Sequence, residues 1–150
     1  MLISEPRVRH RVHNRARIAL VLLCTLWLGC TGKTEQPAEV KNLQMLATLY
    51  GRYISTHRGQ PPPDEAALKK FIPTLSPDEL RAMGVDTADL DKLFTSPRDG
   101  QPYVVHYKQP GAVVAYERDG KEGKRLVAYP SGQVEEVDEA RFKQLVPSAK

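Results

Sequence analysis

A short apolar run near the N-terminus divides the chain into a leader and a domain. The run covers residues 18–29, in which Thr25 is the only polar residue, and Cys30 follows it directly. Five arginines precede the run: Arg7, Arg9, Arg11, Arg15 and Arg17. A basic region followed by about 7–15 apolar residues and a small residue is typical of a secretory signal peptide. A transmembrane helix needs about 20 apolar residues, so we predict a signal peptide over residues 1–29 and an exported product.

The end of the run indicates how the exported chain is held. The sequence Leu-Gly-Cys-Thr at residues 28–31 resembles the lipobox of bacterial lipoproteins, although Trp27 stands where that family usually has leucine. The resemblance implies that Cys30 becomes the first mature residue and that its acyl chains anchor it in membrane lipid. Residues 30–37 would then be the lipidated cysteine and a flexible tether. An uncleaved signal anchor, or a plain signal peptide with an incidental cysteine, stays open as an alternative.

The leader also accounts for the basic character of the chain. The sequence holds 22 Lys+Arg and 18 Asp+Glu, of which five arginines and Glu5 precede Cys30. The remainder is therefore formally neutral and lacks the basic footprint of a nucleic-acid-binding protein, so we expect no nucleic-acid partner. Of the two cysteines, Cys24 leaves with the leader and Cys30 would be acylated. No disulfide partner is then expected in the mature domain.

Hydrophobic periodicity predicts helices first and strands afterwards. Apolar residues at three- and four-residue steps predict a long helix, and polar caps predict short ones. From Pro97 onward, β-forming stretches alternate with short turns, which predicts a four-stranded antiparallel meander. The predicted helices cover 38–57, 64–72, 76–84, part of 86–94, and a closing helix capped by Asp138 with Phe142, Leu145 and Val146 on one face. The predicted strands cover 103–108, 112–117, 125–129 and 133–137. We predict one α+β domain over residues 38–148.

The order of these parts resembles the soluble heads of type II secretion pseudopilins and related prepilin-like proteins. The resemblance rests on a helix running into Arg-Gly-Gln-Pro at 58–61, a short second helix with Glu-Ala-Ala-Leu at 65–68, and the turn Ser-Pro-Arg-Asp-Gly-Gln-Pro-Tyr at 96–103. It continues in the Gly-containing loop at 118–123 and in Tyr-Pro-Ser-Gly-Gln-Val at 129–134. The chain lacks the Gly-(Phe/Met)-Thr-x-x-Glu start and the long apolar helix that prepilins use for assembly. The resemblance therefore implies a pilin-like head that is tethered and monomeric.

No motif indicates catalysis, a metal site or a cofactor. His57 is expected at a helix end and His106 in a strand, and neither belongs to a metal-binding spacing. None of the mature serines stands in Gly-x-Ser-x-Gly. We therefore predict no catalytic residue, no metal ligand and no cofactor.

Three other features have two interpretations each. The loop 119–123 corresponds to a calcium-binding loop of the major pseudopilins, but the surrounding cations favour a plain Gly-rich hairpin. The acids Asp86, Asp89 and Asp91 do not fit an EF-hand and are interpreted as helix caps. The four tyrosines of the sheet are interpreted as a cross-strand ladder, with a peptide- or glycan-binding face as the alternative: Tyr103, Tyr107, Tyr116 and Tyr129.

We expect a non-enzymatic, membrane-tethered envelope lipoprotein whose pseudopilin-like head acts by contact with another envelope protein. The alternative is a small exported enzyme or ligand-binding carrier, and a pilin relative that has lost its partner is a third possibility. A contact module should expose an apolar patch, whereas an enzyme should converge ionisable groups in a cleft. His57 or His106 beside a carboxylate in such a cleft would favour the enzyme.

Overall fold

Helix α1 is the element against which the rest of the domain packs. The computed structural model describes residues 37–108 and 111–147. The predicted signal peptide, Cys30, the tether before Pro37 and the domain end at 148 lie outside the described residues. Helix α1 spans Ala38–Thr56, close to the predicted range. Its buried residues recur every three or four positions and form one face: Leu43, Leu46, Ala47, Leu49, Tyr50 and Tyr53.

Short helices follow α1, and both ends of the second of them agree with the sequence prediction. Helix α2 spans Glu65–Phe71 and is followed by a 3-10 turn at Ile72–Thr74. Helix α3 spans Pro77–Met83; Ser76 Oγ accepts from the Glu79 N–H at 3.2 Å, and Gly84 ends the helix at a φ of 72°. Helix α4 is a single turn, Leu90–Leu93. Helix α3 is thus bounded by a local signal at each end.

The strands form one antiparallel sheet in sequential order, as the meander predicts. They are β1 (Val104–Val105), β2 (Ala115–Tyr116), β3 (Lys124–Ala128) and β4 (Val134–Asp138). The register pairs Val104 with Tyr116, Ala115 with Ala128, and Leu126 with Glu136. The α+β class with a four-stranded antiparallel sheet is therefore confirmed. Helix α5, Glu139–Leu145, closes the fold, and Asp138 Oδ1 caps it through the Arg141 N–H at 2.8 Å.

Strands β1 and β2 are much shorter than the ranges 103–108 and 112–117 predict. The backbone of Lys108 has a φ of 67°, and its N–H donates to Pro62 O at 3.1 Å instead of to the neighbouring strand. Pairing before that point persists irregularly, since His106 N donates to Val114 O at 2.8 Å. The connection to Pro62 therefore draws the chain out of the sheet.

The sheet separates two apolar clusters because successive side chains of a strand point to opposite faces. Leu126 and Ala128 pack with α1 in the larger cluster, whereas Val127 packs with Phe142 of α5 in the smaller one. Tyr103, Val105 and Tyr107 share the α1 side, as their alternation predicts. Tyr116 and Tyr129 lie on the α5 side. The predicted ladder of four tyrosines is therefore wrong, because the four rings are divided between two faces.

Candidate functional site

An open groove lies between the end of α1 and helix α2. It encloses about 520 Å³ and has eight lining residues. The last turn of α1 and its cap supply one wall, and α2 with the following 3-10 turn supplies the other. The lining residues are Tyr53, Thr56, His57, Ala67, Lys70, Phe71, Thr74 and Leu75.

One wall of the groove is aromatic. The ring of His57 stacks on Tyr53 with 3.8 Å between centroids and an interplanar angle of 2°. Phe71 meets both rings edge-on, at 5.2 Å from Tyr53 and 5.5 Å from His57. Such stacked and edge-to-face pairs add to the free energy of burial. The three rings therefore form a rigid apolar surface, which we call the aromatic wall.

The orientation of His57 follows from its hydrogen bonds. Its Nδ1 lies 2.9 Å from the carbonyl oxygen of Tyr53 and 3.0 Å from Thr56 Oγ1. A carbonyl oxygen can only accept, so we assign the proton of this contact to Nδ1. In the neutral ring, Nε2 is then an acceptor. It has no hydrogen-bond partner among the residues described, which leaves it available to a ligand.

The charge in the groove is positive. Lys70 is exposed and forms no ion pair with any residue that the structure describes. Its neighbour Lys69 pairs with both Asp91 and Glu65 at 2.6 Å, and these hydrogen bonds raise the pKa of Lys69. No carboxylate is among the eight lining residues. His57 therefore has no acidic partner here with which to form a catalytic pair.

A second recess adjoins the first. It encloses about 400 Å³ and shares Leu75 with the groove. Its other lining residues are Pro73, Pro77, Leu80, Arg81, Val85 and Thr87. Arg81 is paired with Asp78 at 3.0 Å. Leu75 thus lines both recesses.

A buried polar cluster lies beneath the turn at 96–102, away from the groove lining. Ser96 and Glu117 are fully buried. Ser96 Oγ donates to Glu117 Oε1 at 2.9 Å, and the Leu126 N–H donates to Oε2 at 2.9 Å. Arg98, only 8% exposed, lies 3.8 Å from Glu117 Oε2 and 2.7 Å from Glu136 Oε1. Both oxygens of Glu117 are therefore occupied within the protein, so this carboxylate acts as a cross-link.

The same turn holds the loop at 118–123. Asp99 Oδ2 accepts from the N–H groups of Asp119 and Gly120 at 3.3 and 3.0 Å. Burial alone would raise the pKa of Asp99, but its backbone hydrogen bonds outweigh that effect and lower it. The Arg98 guanidinium donates to Lys121 O at 3.3 Å, and its charge would repel a metal ion there. In the described part of the chain, no three His, Cys, Asp or Glu residues group as metal ligands. The geometry favours the hairpin interpretation.

The remaining candidate residues lie elsewhere. His106 is half-buried in the sheet, its ring meets Tyr116 edge-on at 5.5 Å, and burial lowers its pKa. The structure does not bring it to the groove with His57. Asp86 accepts from the Ala88 N–H at 2.9 Å in a turn.

The interpretation of the acids at 86–91 as helix caps needs correction. Asp89 is at the N-cap position of α4, but its side chain makes no capping hydrogen bond. It pairs instead with Lys92 at 2.6 Å, and Asp91 pairs with Lys69. The side chain of Asp89 therefore does not cap this one-turn helix, and Asp89 and Asp91 form ion pairs with lysines instead.

Sequence reasoning missed the groove because its two walls come from separate helices. The sequence predicts Lys70 and Phe71 only as part of a helix, and Leu75 lies between two predicted helices. The available signal is the Gly59–Pro63 connection, which forces the chain to turn and sets α2 beside the end of α1. No described helix combines the length and apolarity needed to cross a membrane. No protein-family model matches the chain, and no curated protein or solved structure shows a significant similarity to it.

Proposed function

We propose that the chain is a non-enzymatic envelope lipoprotein, exported and tethered through Cys30, whose pseudopilin-like head works by contact with another envelope protein. The groove carries the contact part of this proposal. It is open to solvent, its aromatic wall is rigid, and a cation lies at its edge. Partially exposed apolar surfaces with a polar rim are typical of protein interaction sites.

The tether part rests on the sequence of the leader. Five arginines, a short apolar run and Leu-Gly-Cys precede the domain, in the order that export and lipidation require. The leader also stands where prepilins carry their assembly helix. A head on such a tether acts as a single surface module and does not enter a filament.

Metabolic labelling with an acyl probe tests the tether. Wild-type protein should be labelled and should fractionate with membranes, whereas Cys30→Ala should lose both properties. Cys24→Ala is the matched control and should retain them. Labelling that persists in Cys30→Ala would refute the lipoprotein assignment.

Site-specific photocrosslinking in native membranes tests the contact. A crosslinking residue at Ala67, which lines the groove, should give a discrete adduct with an envelope protein. The same residue at exposed Ala140 on α5 should not. Equal adducts from both positions, or none from Ala67, would refute the groove as the contact site.

A carrier of small molecules is the second candidate. The groove volume of about 520 Å³ lies within the range of about 300–1,000 Å³ that is usual for small-molecule sites. Native mass spectrometry of the protein extracted from membranes distinguishes the two. A stoichiometric small ligand that Ala67→Arg removes would favour the carrier over the contact module.

A further inference from the structure

We propose that the groove binds an extended acidic peptide segment of a partner protein, which places an apolar side chain against the aromatic wall and a carboxylate at Lys70. This inference rests on the contact function proposed above and names the chemistry of the partner.

The first argument for an acidic peptide is the distribution of charge on the elements that form the groove. Between residues 52 and 83 the acids are Asp64, Glu65, Asp78 and Glu79. Each is engaged: Asp64 caps α2 through the Ala67 N–H, and the other three pair with Lys69, Arg81 and Arg52. Oε1 of Glu79, the atom that pairs with Arg52, has no other partner among the described residues.

Two cations between residues 52 and 83 form no ion pair with a described residue. Lys70 and Arg58 are exposed and form no ion pair within the described part of the chain. Arg58 directly follows His57 and has a φ of 56°, so the chain turns at the mouth of the groove. Neither cation has a carboxylate partner among the described residues, so each can pair with a carboxylate of a ligand.

The second argument is the apolar surface of the groove. In the aromatic wall, Tyr53 and Phe71 are almost fully buried, whereas His57 is exposed. Leu75 lines both this groove and the second recess. An extended chain points residues i and i+2 to the same side, so we place two apolar side chains of the peptide at this spacing, one for each recess.

A peptide fits these features better than an anionic membrane does. A bilayer presents a flat surface and binds proteins through clusters of four or more cations with projecting apolar side chains. Here the apolar residues line concave recesses, and within residues 52–83 only two cations, Lys70 and Arg58, form no ion pair with a described residue.

Fluorescence anisotropy with the full lipidated chain in neutral detergent tests the proposal. The probe is a fluorescein-labelled peptide, Glu-Glu-Leu-Gly-Phe-Glu-Glu. The comparison peptides replace every Glu with Lys, or replace Leu and Phe with Gly. We expect the first peptide to bind about tenfold tighter than either comparison peptide, because each lacks one half of the match.

Charge reversal at two sites locates the binding. Lys70→Glu should weaken binding of the acidic peptide about tenfold. Lys143→Glu makes the same change in net charge on α5, away from the groove, and should alter binding by less than about twofold. Circular dichroism checks that both exposed substitutions leave the fold intact.

Several outcomes would overturn the proposal. Equal binding of the Glu and Lys peptides would remove the charge argument, and unchanged binding by Lys70→Glu would remove the site. Binding of phosphatidylglycerol vesicles that needs Lys70, without peptide binding, would identify a membrane surface instead. An adduct from Ala67 without peptide binding would refute only this inference, whereas peptide binding without acylation of Cys30 would refute only the tether.

Discussion

The hydroxyl of Tyr50 donates a 2.6 Å hydrogen bond to the backbone carbonyl oxygen of His106. Tyr50 is 1% exposed in the middle of α1, and His106 directly follows β1. The N–H of His106 in turn donates to Val114 O. One side chain therefore joins the long helix to the irregular part of the β1–β2 pairing.

Replacing Tyr50 with Phe should destabilise the domain by about 1–3 kcal/mol, because a part-buried carbonyl loses its donor. Urea unfolding measures the change in the free energy of unfolding. Tyr53→Phe is the matched control, since no hydrogen bond joins the Tyr53 hydroxyl to another described residue, and it should change stability by less than about 0.5 kcal/mol. Equal losses in both variants would contradict the role of the hydrogen bond.

Stability should fall as the pH rises above about 10. Burial raises the pKa of Tyr50 from 10.0 to about 12, and it also raises those of Tyr103 and Tyr107. The folded state therefore holds protons that the unfolded state releases. The stabilisation from Tyr50 is complete below pH 10 and is lost as the pH rises through about 12, by roughly 2–3 kcal/mol.

Thermal unfolding between pH 9 and pH 11 measures this effect. Tyr50→Phe has one fewer titrating hydroxyl, so its melting temperature should depend less steeply on pH than that of the wild type. An equal slope in the two proteins would contradict the assignment to Tyr50.

Removing Arg98 should cost about 3–5 kcal/mol, because it leaves the buried Glu117 carboxylate without its cation. Arg141→Ala is the control: that arginine is exposed and lies 4.0 Å from Glu135, so its loss should cost less than about 1 kcal/mol. Guanidinium unfolding measures both. Adding Glu117→Gln to Arg98→Ala should recover stability, and a further additive loss would contradict the pairing.

Gly120 and Gly123, both in the loop at 118–123, allow a matched comparison of two alanine substitutions. Gly120 and Gly123 have φ values of 71° and 74°, so alanine strains both backbones by a similar amount, roughly 1 kcal/mol. A β-carbon at Gly120 would lie 2.1 Å from Lys124 O, whereas nothing lies within 4 Å of one at Gly123. Gly120→Ala should therefore cost about 2 kcal/mol more than Gly123→Ala in thermal unfolding. Equal costs would show that the loop can relax.

Local signals predicted the parts of the fold that neighbours in sequence determine. The caps at Ser76 and Asp138 and the stop at Gly84 need only adjacent residues, and all three have the expected geometry. The buried face of α1 follows from a period that its own residues set. The shortening of β1 could not be predicted in this way, because the hydrogen bond from Lys108 N to Pro62 O joins residues that no local sequence pattern connects.

The groove and the separate buried contact of Ser96 with Glu117 could not be predicted for the same reason. Glu117 is 21 positions from Ser96, and no local pattern indicates that their side chains form a buried hydrogen bond. The groove depends on how α2 lies against the end of α1. In the sequence, Lys70 looks like any lysine at a helix end. Only the structure shows that its neighbour Lys69 forms the ion pairs with Glu65 and Asp91.

Helix α1 also fixes the distance between the start of the domain and the groove. The helix begins at Ala38, and the groove begins at its far end, so 19 residues of helix separate the two by about 28 Å. A residue inserted before Leu43, ahead of the buried face, would lengthen this distance by about 1.5 Å and rotate the start of the helix by about 100° relative to the groove. The helix therefore sets both the distance and the direction from the first residue of α1 to the groove.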